Sequence, residues 1–285
     1  MKKLAILAAL ASLGAAAAVE SSNTVGYYTK SIANGKFGQL AVQFEAVGGG
    51  NAKVTDLFKS EDLVATEAEF DSNYEVTSDS LKAAPQIQVW DGNKYTIYYY
   101  FSNAWDSSLN DGEGGEVTAW ADGLGGNVVT DTLKPGQGVW VKATTSAASV
   151  IQAGQVYDGS YTKSAAKGKF VMLCNTRPEA LDPNDSAAID FGELAAVEAE
   201  FDSNYEVTSD SLKAAPQIQV WDGNKYTIYY YFSNAWDTSL NDGEGGEVTA
   251  WADGLGGNVA TGTIPVGQGF WLKATTAAAT VTINE

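Results

Sequence analysis

Gln86-Ile87-Gln88-Val89-Trp90-Asp91-Gly92-Asn93-Lys94-Tyr95-Thr96-Ile97-Tyr98-Tyr99-Tyr100-Phe101 is the stretch that sets the fold class. Its first five residues alternate in polarity, and its last eight are β-branched or aromatic apart from Lys94. An Asp-Gly turn joins them, which predicts an antiparallel hairpin. In the second strand, Tyr95, Ile97, Tyr99 and Phe101 share one face, and Thr96, Tyr98 and Tyr100 share the other. One face must be core. The other suits a second packed layer, a ligand surface or a domain interface. So uncharged a run would pair with other chains if it lay at an edge, so it belongs inside a sheet.

The hairpin occurs twice. Glu67–Val128 recurs as Glu198–Val259, an offset of 131, with Ser107 against Thr238 as the one difference in 62 positions. Outside that block the likeness is looser. Tyr28-Thr29-Lys30-Ser31 returns as Tyr161-Thr162-Lys163-Ser164, and Gly136-Gln137-Gly138-Val139-Trp140 as Gly267-Gln268-Gly269-Phe270-Trp271. The units run over 19–154 and 155–285, each the size of one domain, so the period means two domains in series. Further strands are expected at Tyr27–Ile32, Gly38–Phe44, Glu116–Ala121, Asn127–Leu133, Gly138–Ala143 and Ser149–Val156. Asn34-Gly35 reads as a second hairpin turn, between the first two of these. Short helices are expected within Val54–Leu63 and Ser78–Ala83. The chain is thus mainly β, with two tandem β-sandwich or barrel-like domains carrying one or two short helices each.

Three pieces come in fixed order in each unit. In the first they are Gly35-Lys36-Phe37-Gly38, then Val89-Trp90-Asp91-Gly92-Asn93-Lys94-Tyr95, then Pro135-Gly136-Gln137-Gly138-Val139-Trp140-Val141. This order resembles an uncharacterised β-rich module of secreted and surface proteins from Verrucomicrobia, Lentisphaerae and Bacteroidetes. Val266-Gly267-Gln268-Gly269-Phe270-Trp271-Leu272 fits the last piece more closely, without the adjacent proline. The resemblance implies an extracellular β-domain and supplies no active site. Independently of it, Gly136 and Gly138 permit a tight entry or bulge, and Trp140 reads as a large core residue.

Met1-Lys2-Lys3 followed by an apolar, alanine-rich run to Ala18 reads as a secretory signal peptide over 1–18, of bacterial type. A secreted or cell-surface location follows, with no membrane insertion after cleavage. Of 17 basic and 35 acidic residues, Lys2 and Lys3 fall in that leader. The remainder therefore carries 15 basic against 35 acidic residues, a net charge of −20. Such a charge disfavours nucleic acid, whose phosphates need lysine and arginine. It also disfavours anionic membranes. Cys174 is the single cysteine, aligned with Ala41 of the first unit, and reads as a small core residue.

The catalytic vocabulary is thin. Histidine is absent, which removes Ser-His and Cys-His pairs and histidine metal sites. No enzymatic activity and no organic cofactor are expected. Calcium is the ion whose chemistry fits best, because acidic side chains among flexible glycines supply hard oxygens. The candidates are Asp111, Glu113 and Glu116, repeated as Asp242, Glu244 and Glu247. Asp182, Asn184 and Asp185 form a similar group in the second unit alone. For a glycan, the candidates are Trp105 and Trp120 with Trp236 and Trp251, in or near Gly/Asp-rich loops, where an indole can stack on a sugar ring. Two function classes remain. One is a structural or adhesive component of the envelope or matrix, self-associating head to tail into a filament. The other is a carbohydrate-binding protein with two equivalent sites, which gain avidity for a polymer.

Overall fold

The computed structural model describes residues 25–58, 63–109, 114–157, 159–240 and 245–284. The leader lies outside them. Among the described residues the protein is mainly β, in antiparallel sheets with three short helices. The first unit holds β1 (Val25–Ile32), β2 (Phe37–Ala41), β3 (Phe44–Glu45), β4 (Ala52–Lys53), α1 (Val54–Leu57), α2 (Ser78–Ala83), β5 (Gln86–Trp90), β6 (Tyr95–Asp106), β7 (Gly115–Ala121), β8 (Thr132–Leu133), β9 (Gly138–Lys142) and β10 (Ala148–Val156). The second holds β11 (Tyr161–Ala165), β12 (Lys169–Cys174), β13 (Ile189–Asp190), α3 (Ser209–Ala214), β14 (Gln217–Trp221), β15 (Tyr226–Asp237), β16 (Gly246–Ala252), β17 (Gly269–Ala274) and β18 (Ala279–Ile283).

Each unit is a sandwich of a five-stranded and a three-stranded sheet. The orders are β2-β9-β5-β6-β7 with β1-β10-β3, and β12-β17-β14-β15-β16 with β11-β18-β13. No sheet among the described residues mixes strands of the two units. β10 stays paired through Val156, opposite Phe44, so the first unit extends two residues past Gly154.

The quoted hairpin forms, with Trp90 opposite Tyr95 and Gln86 opposite Tyr99. Asp91 closes its turn by accepting from the backbone N–H of Asn93 (2.8 Å) and Lys94 (2.9 Å). Gly92 takes φ +108°, a value a side chain rarely tolerates. The other expected hairpin does not form. Beyond Asn34-Gly35, β2 pairs with β9, whereas β1 pairs with β10. The turn is a corner that carries the chain from one sheet to the other. Gly35 N–H and Lys36 C=O engage Ala143 there, on the crossover between β9 and β10. A short helix forms at Val54–Leu57, within the expected segment, while the strand expected at Asn127–Leu133 shortens to Thr132–Leu133 with isolated bridges at Asn127 and Val128.

Alternation decides what fills each layer. Between the sheets of the first unit lie Ile87, Val89, Tyr98, Val139, Val141, Val150 and Trp120. Thr96, Tyr98 and Tyr100 therefore belong to the inner face. The outer face of the five-stranded sheet is covered from two directions. Over β6 and β7, the unit's own segment around α2 makes a second small core from Ala68, Val76, Ala84, Phe101 and Ala104. Thr77 caps α2, accepting from Ser80 N–H. The Asn103 carboxamide clamps Ala68 by accepting from its N–H (2.7 Å) and donating to its C=O (3.0 Å). A bulge between Phe101 and Ala104 lets β6 serve both cores. Over β2, β9 and β5, the cover is the other unit.

Candidate functional site: an aromatic groove between the two units

β2, β9 and β5 turn Phe37, Gln39, Trp140, Gln88 and Trp90 outward, and Tyr95 joins them from β6. β12, β17, β14 and β15 present Phe170, Met172, Trp271, Gln219, Trp221 and Tyr226 in the same way. These faces meet. Trp140 stands edge-on to Trp221 at 6.0 Å, and Trp90 edge-on to Trp271 at 6.1 Å. Gly136 lies against the Tyr161 ring, so that a Cβ there would collide, and Gly267 lies against the Tyr28 ring likewise. Gly138 faces Met172, and Gly269 faces Gln39. Each contact occurs twice with the units exchanged, which is the signature of a two-fold, isologous interface. Hydrogen bonds among the described residues cross it, the Val42 N–H toward the Cys174 sulfur among them. Ala41 N–H donates to Gly267 C=O at 2.9 Å, the Trp221 indole donates to Phe37 C=O at 3.0 Å, and Lys30 Nζ donates to Gln268 Oε1 at 3.0 Å.

Away from the axis the two hairpins diverge and leave two equivalent clefts. One, of about 310 Å³, is lined by Phe37, Gln88, Tyr95, Trp140, Trp221 and Tyr226. The other, of about 320 Å³, is lined by their counterparts Phe170, Gln219, Tyr226, Trp271, Trp90 and Tyr95. Both tyrosines line both clefts, so the two run together as one groove. Burial raises the pKa of Tyr95 and Tyr226, opposed by a hydrogen bond with Trp140 and Trp271 respectively. Lys142 and Lys273 lie 5.7 Å from the Phe37 and Phe170 rings. No charged side chain lines either cleft. Flat apolar walls with a few amide, hydroxyl and indole groups suit a ligand that has one apolar face and polar edges.

The tryptophans singled out from sequence divide into two pairs. Trp105 and Trp236 are 43 % and 40 % exposed, each directly across from Glu116 or Glu247 on the adjacent strand. They lie over Gly114 and Gly245. Trp120 and Trp251 are not ligand residues of an open loop. They sit in β7 and β16, 2 % and 1 % exposed. The Trp120 indole donates to Phe58 C=O at 3.0 Å, and Tyr100 packs on its ring at 5.0 Å. Alternation along β7 points them inward, which proximity to a glycine-rich loop had obscured. Asp111, Glu113, Asp242 and Glu244 lie outside the described residues. Glu116 and Glu247 are exposed strand residues. Among the described residues no three acidic, cysteine or histidine side chains gather as a metal site. Asn184 serves the fold, accepting from Trp251 N–H at 2.7 Å and donating to Trp251 C=O at 3.1 Å.

Trp140 belongs to neither unit's own core. It is buried between the units. The signal in sequence was its spacing: Gly138, Trp140 and Lys142 lie on one face, and Val139 and Val141 on the other. Tyr74 and Tyr205 also went unnoticed. Both are more than four-fifths exposed with φ of +62° and +61°, a strained conformation for a side chain of that size.

Cys174 lies at this interface, its sulfur 3.3 Å from where a Cβ on Gly138 would stand. Burial pushes its thiol pKa up to about 12, against the pull of nearby Lys163 and the Val42 N–H. A folded pKa above the unfolded value means the thiol's contribution to stability is complete below about pH 9 and is lost as pH rises toward 12. At pH 8 a thiol reagent is expected to label Cys174 only as fast as the interface opens. Labelling at the rate of a free thiol, in protein that remains folded by circular dichroism, would contradict this.

No family model matches the chain, and neither a curated protein nor a solved structure matches it. In class it is a duplicated β-sandwich protein whose halves join through an isologous aromatic contact.

Proposed function

We propose that the protein is an exported adhesive component of a bacterial cell surface or extracellular matrix, and that it acts by holding a glycan in the aromatic groove. The observation that carries this is the pair of equivalent, uncharged aromatic clefts built jointly by both units. Pyranose rings offer an apolar C–H face to indole and phenol planes, while their hydroxyls reach amide and phenol groups at the rim. Two clefts in line favour a polymer, since the second engages at high effective concentration. Trp105 and Trp236, each beside an acidic residue, supply a further exposed pair. Lys2 and Lys3 ahead of the apolar run, and the acidic balance of the chain, support an extracellular setting.

Self-association is the second reading, and the interface bears on it. An isologous contact closes on itself, so its repetition between chains gives closed pairs. A filament would need another surface. Light scattering on the mature protein, with and without calcium, measures this directly.

The glycan reading is tested by affinity electrophoresis and a glycan array with Tyr95→Ala, Tyr226→Ala and the double variant. Both tyrosines are partly exposed on hairpins, so the fold survives their loss. Each single variant is expected to weaken binding about tenfold and the double variant about a hundredfold, at about 1–2 kcal/mol per lost ring contact. Retention in the double variant with loss in Trp105→Ala/Trp236→Ala would move the site to the loop tryptophans.

A further inference from the structure

The two-fold relation between the units fails at several places: the Trp221 indole donates across the interface whereas its counterpart Trp90 Nε1 has no partner among the described residues, and a second failure has chemical content. Position 39 carries Gln where its counterpart is Met172. Met172 fills the interface with apolar surface and needs no polar partner. Gln39 is 1 % exposed, and neither its Oε1 nor its Nε2 has a hydrogen-bond partner among the described residues. A buried amide left unpaired is costly, and native proteins rarely keep one without a partner.

A cleft of about 240 Å³ opens beside it, lined among others by Lys30, Ser31, Lys36, Gln39, Trp221 and Gln268. Neither lysine forms an ion pair among the described residues. Lys30 is half-buried and gives a hydrogen bond to Gln268. The equivalent Lys163 is engaged within its own unit, donating to Met172 C=O at 3.2 Å. Asp222 is the acid at the rim, and its carboxylate is turned into its own loop by the N–H groups of Asn224 and Lys225. Phe37 and Trp221 line both this cleft and the first aromatic cleft. A chain lying on the aromatic walls therefore reaches two cationic groups at this end, and beneath them lies an unpaired amide that the other end lacks.

We infer that the cleft beside Gln39 receives a carboxylate of the bound glycan, so that the ligand is an acidic polysaccharide bearing uronate residues. This rests on the glycan reading of the groove. Lys30 and Lys36 supply a local positive charge within an otherwise acidic chain, the Gln39 side chain turns out from beneath them so that its Nε2 donates to the carboxylate, and Trp221 stacks on the sugar ring that carries it. The other cleft, with methionine at the corresponding place, takes a neutral ring. The site is polar, and it gives the groove a direction that its symmetric walls lack.

The test compares uronate-bearing and neutral oligosaccharides of equal length and linkage by calorimetry at low salt, in wild type and in Gln39→Met and Lys30→Gln. Gln39→Met copies what the second unit already has, so it is expected to fold. Wild type is expected to prefer the uronate oligomer about tenfold or more, the scale of one charge-assisted hydrogen bond, and both variants to lose that preference while binding the neutral oligomer unchanged. Equal affinities in wild type, or a preference that survives Gln39→Met, would overturn the inference and leave the glycan reading standing. If no oligosaccharide binds, that reading falls, and free glucuronate decides the cleft by NMR. A shift of the Gln39 side-chain amide, assigned by its absence in Gln39→Met, upholds the carboxylate site. An unshifted amide satisfied by water alone overturns it.

Discussion

Trp120→Ala is expected to unfold the first unit or bring it to the edge of unfolding. The indole is 2 % exposed and lies between the two sheets, in contact with Tyr100 and close to the α1 exit at Phe58. Removing a buried tryptophan costs about 3–5 kcal/mol through lost burial and the cavity left behind. That is a large part of the roughly 5–15 kcal/mol by which a domain is held folded. At position 120 the loss also strands the Phe58 carbonyl, which accepts the indole N–H. Trp251→Ala removes the same ring from the second unit. Its indole N–H has no partner among the described residues, so its loss leaves no carbonyl unpaired. The two variants thus share the cavity cost, and Trp120→Ala is expected to be the more damaging by about one hydrogen bond, roughly 1 kcal/mol. Chemical denaturation monitored by near-ultraviolet circular dichroism checks both. A loss below about 1 kcal/mol in either would mean the ring is not the centre of its core.

The double variant Trp140→Ala/Trp271→Ala is expected to separate the units without unfolding either. Each ring is buried only where the units meet, packed with Met172, Phe37, Trp90 and Trp221. Truncating one should cost a large fraction of a core tryptophan, and the pair adds the loss of the edge-on contacts with Trp221 and Trp90 across the interface, each worth about 0.5–1.5 kcal/mol beyond burial. The inner cores contain neither residue, so each sandwich should persist. Calorimetry is expected to show one coupled transition in the parent and two in the variant. Small-angle scattering should show a larger radius, Cys174 should label rapidly at pH 8, and glycan binding should disappear, because both clefts need walls from both units. A variant that keeps a single transition and an unreactive Cys174 would show that backbone contacts such as Ala41 to Gly267 suffice to hold the units together.

These two experiments separate residues that look alike in sequence. Trp120 and Trp140 are both strand tryptophans near glycines. The period-two rule assigns each to a face but does not say what covers that face. For Trp120 the cover is its own unit's second sheet, and for Trp140 it is the other unit. The same limit applies to Tyr95 and Ile97. They were correctly separated from Tyr98 and Tyr100, and three destinations remained for one face until the neighbouring unit filled it. Asn34-Gly35 shows another limit. Its residues demand a tight turn, and the turn is there, but turn chemistry does not reveal that the next strand leaves for a different sheet.

The sequence by itself determined the duplication, the β class, the hairpin of Gln86–Phe101, and short helices within Val54–Leu63 and at Ser78–Ala83. All of these depend on interactions within a few residues, or on self-similarity that can be read directly. Only the tertiary structure decided the pairing of β1 with β10, the inward position of Trp120 and Trp251, and the isologous meeting of the two outer faces. Those outcomes come from contacts between residues far apart in the chain, from 62 positions for Trp120 and Phe58 to 184 for Trp221 and Phe37. There, complementarity of two surfaces sets the free energy, and no local pattern encodes it. The groove is the plainest case. Its walls were visible as two copies of one aromatic strand pattern, but it became a site only when the copies faced each other.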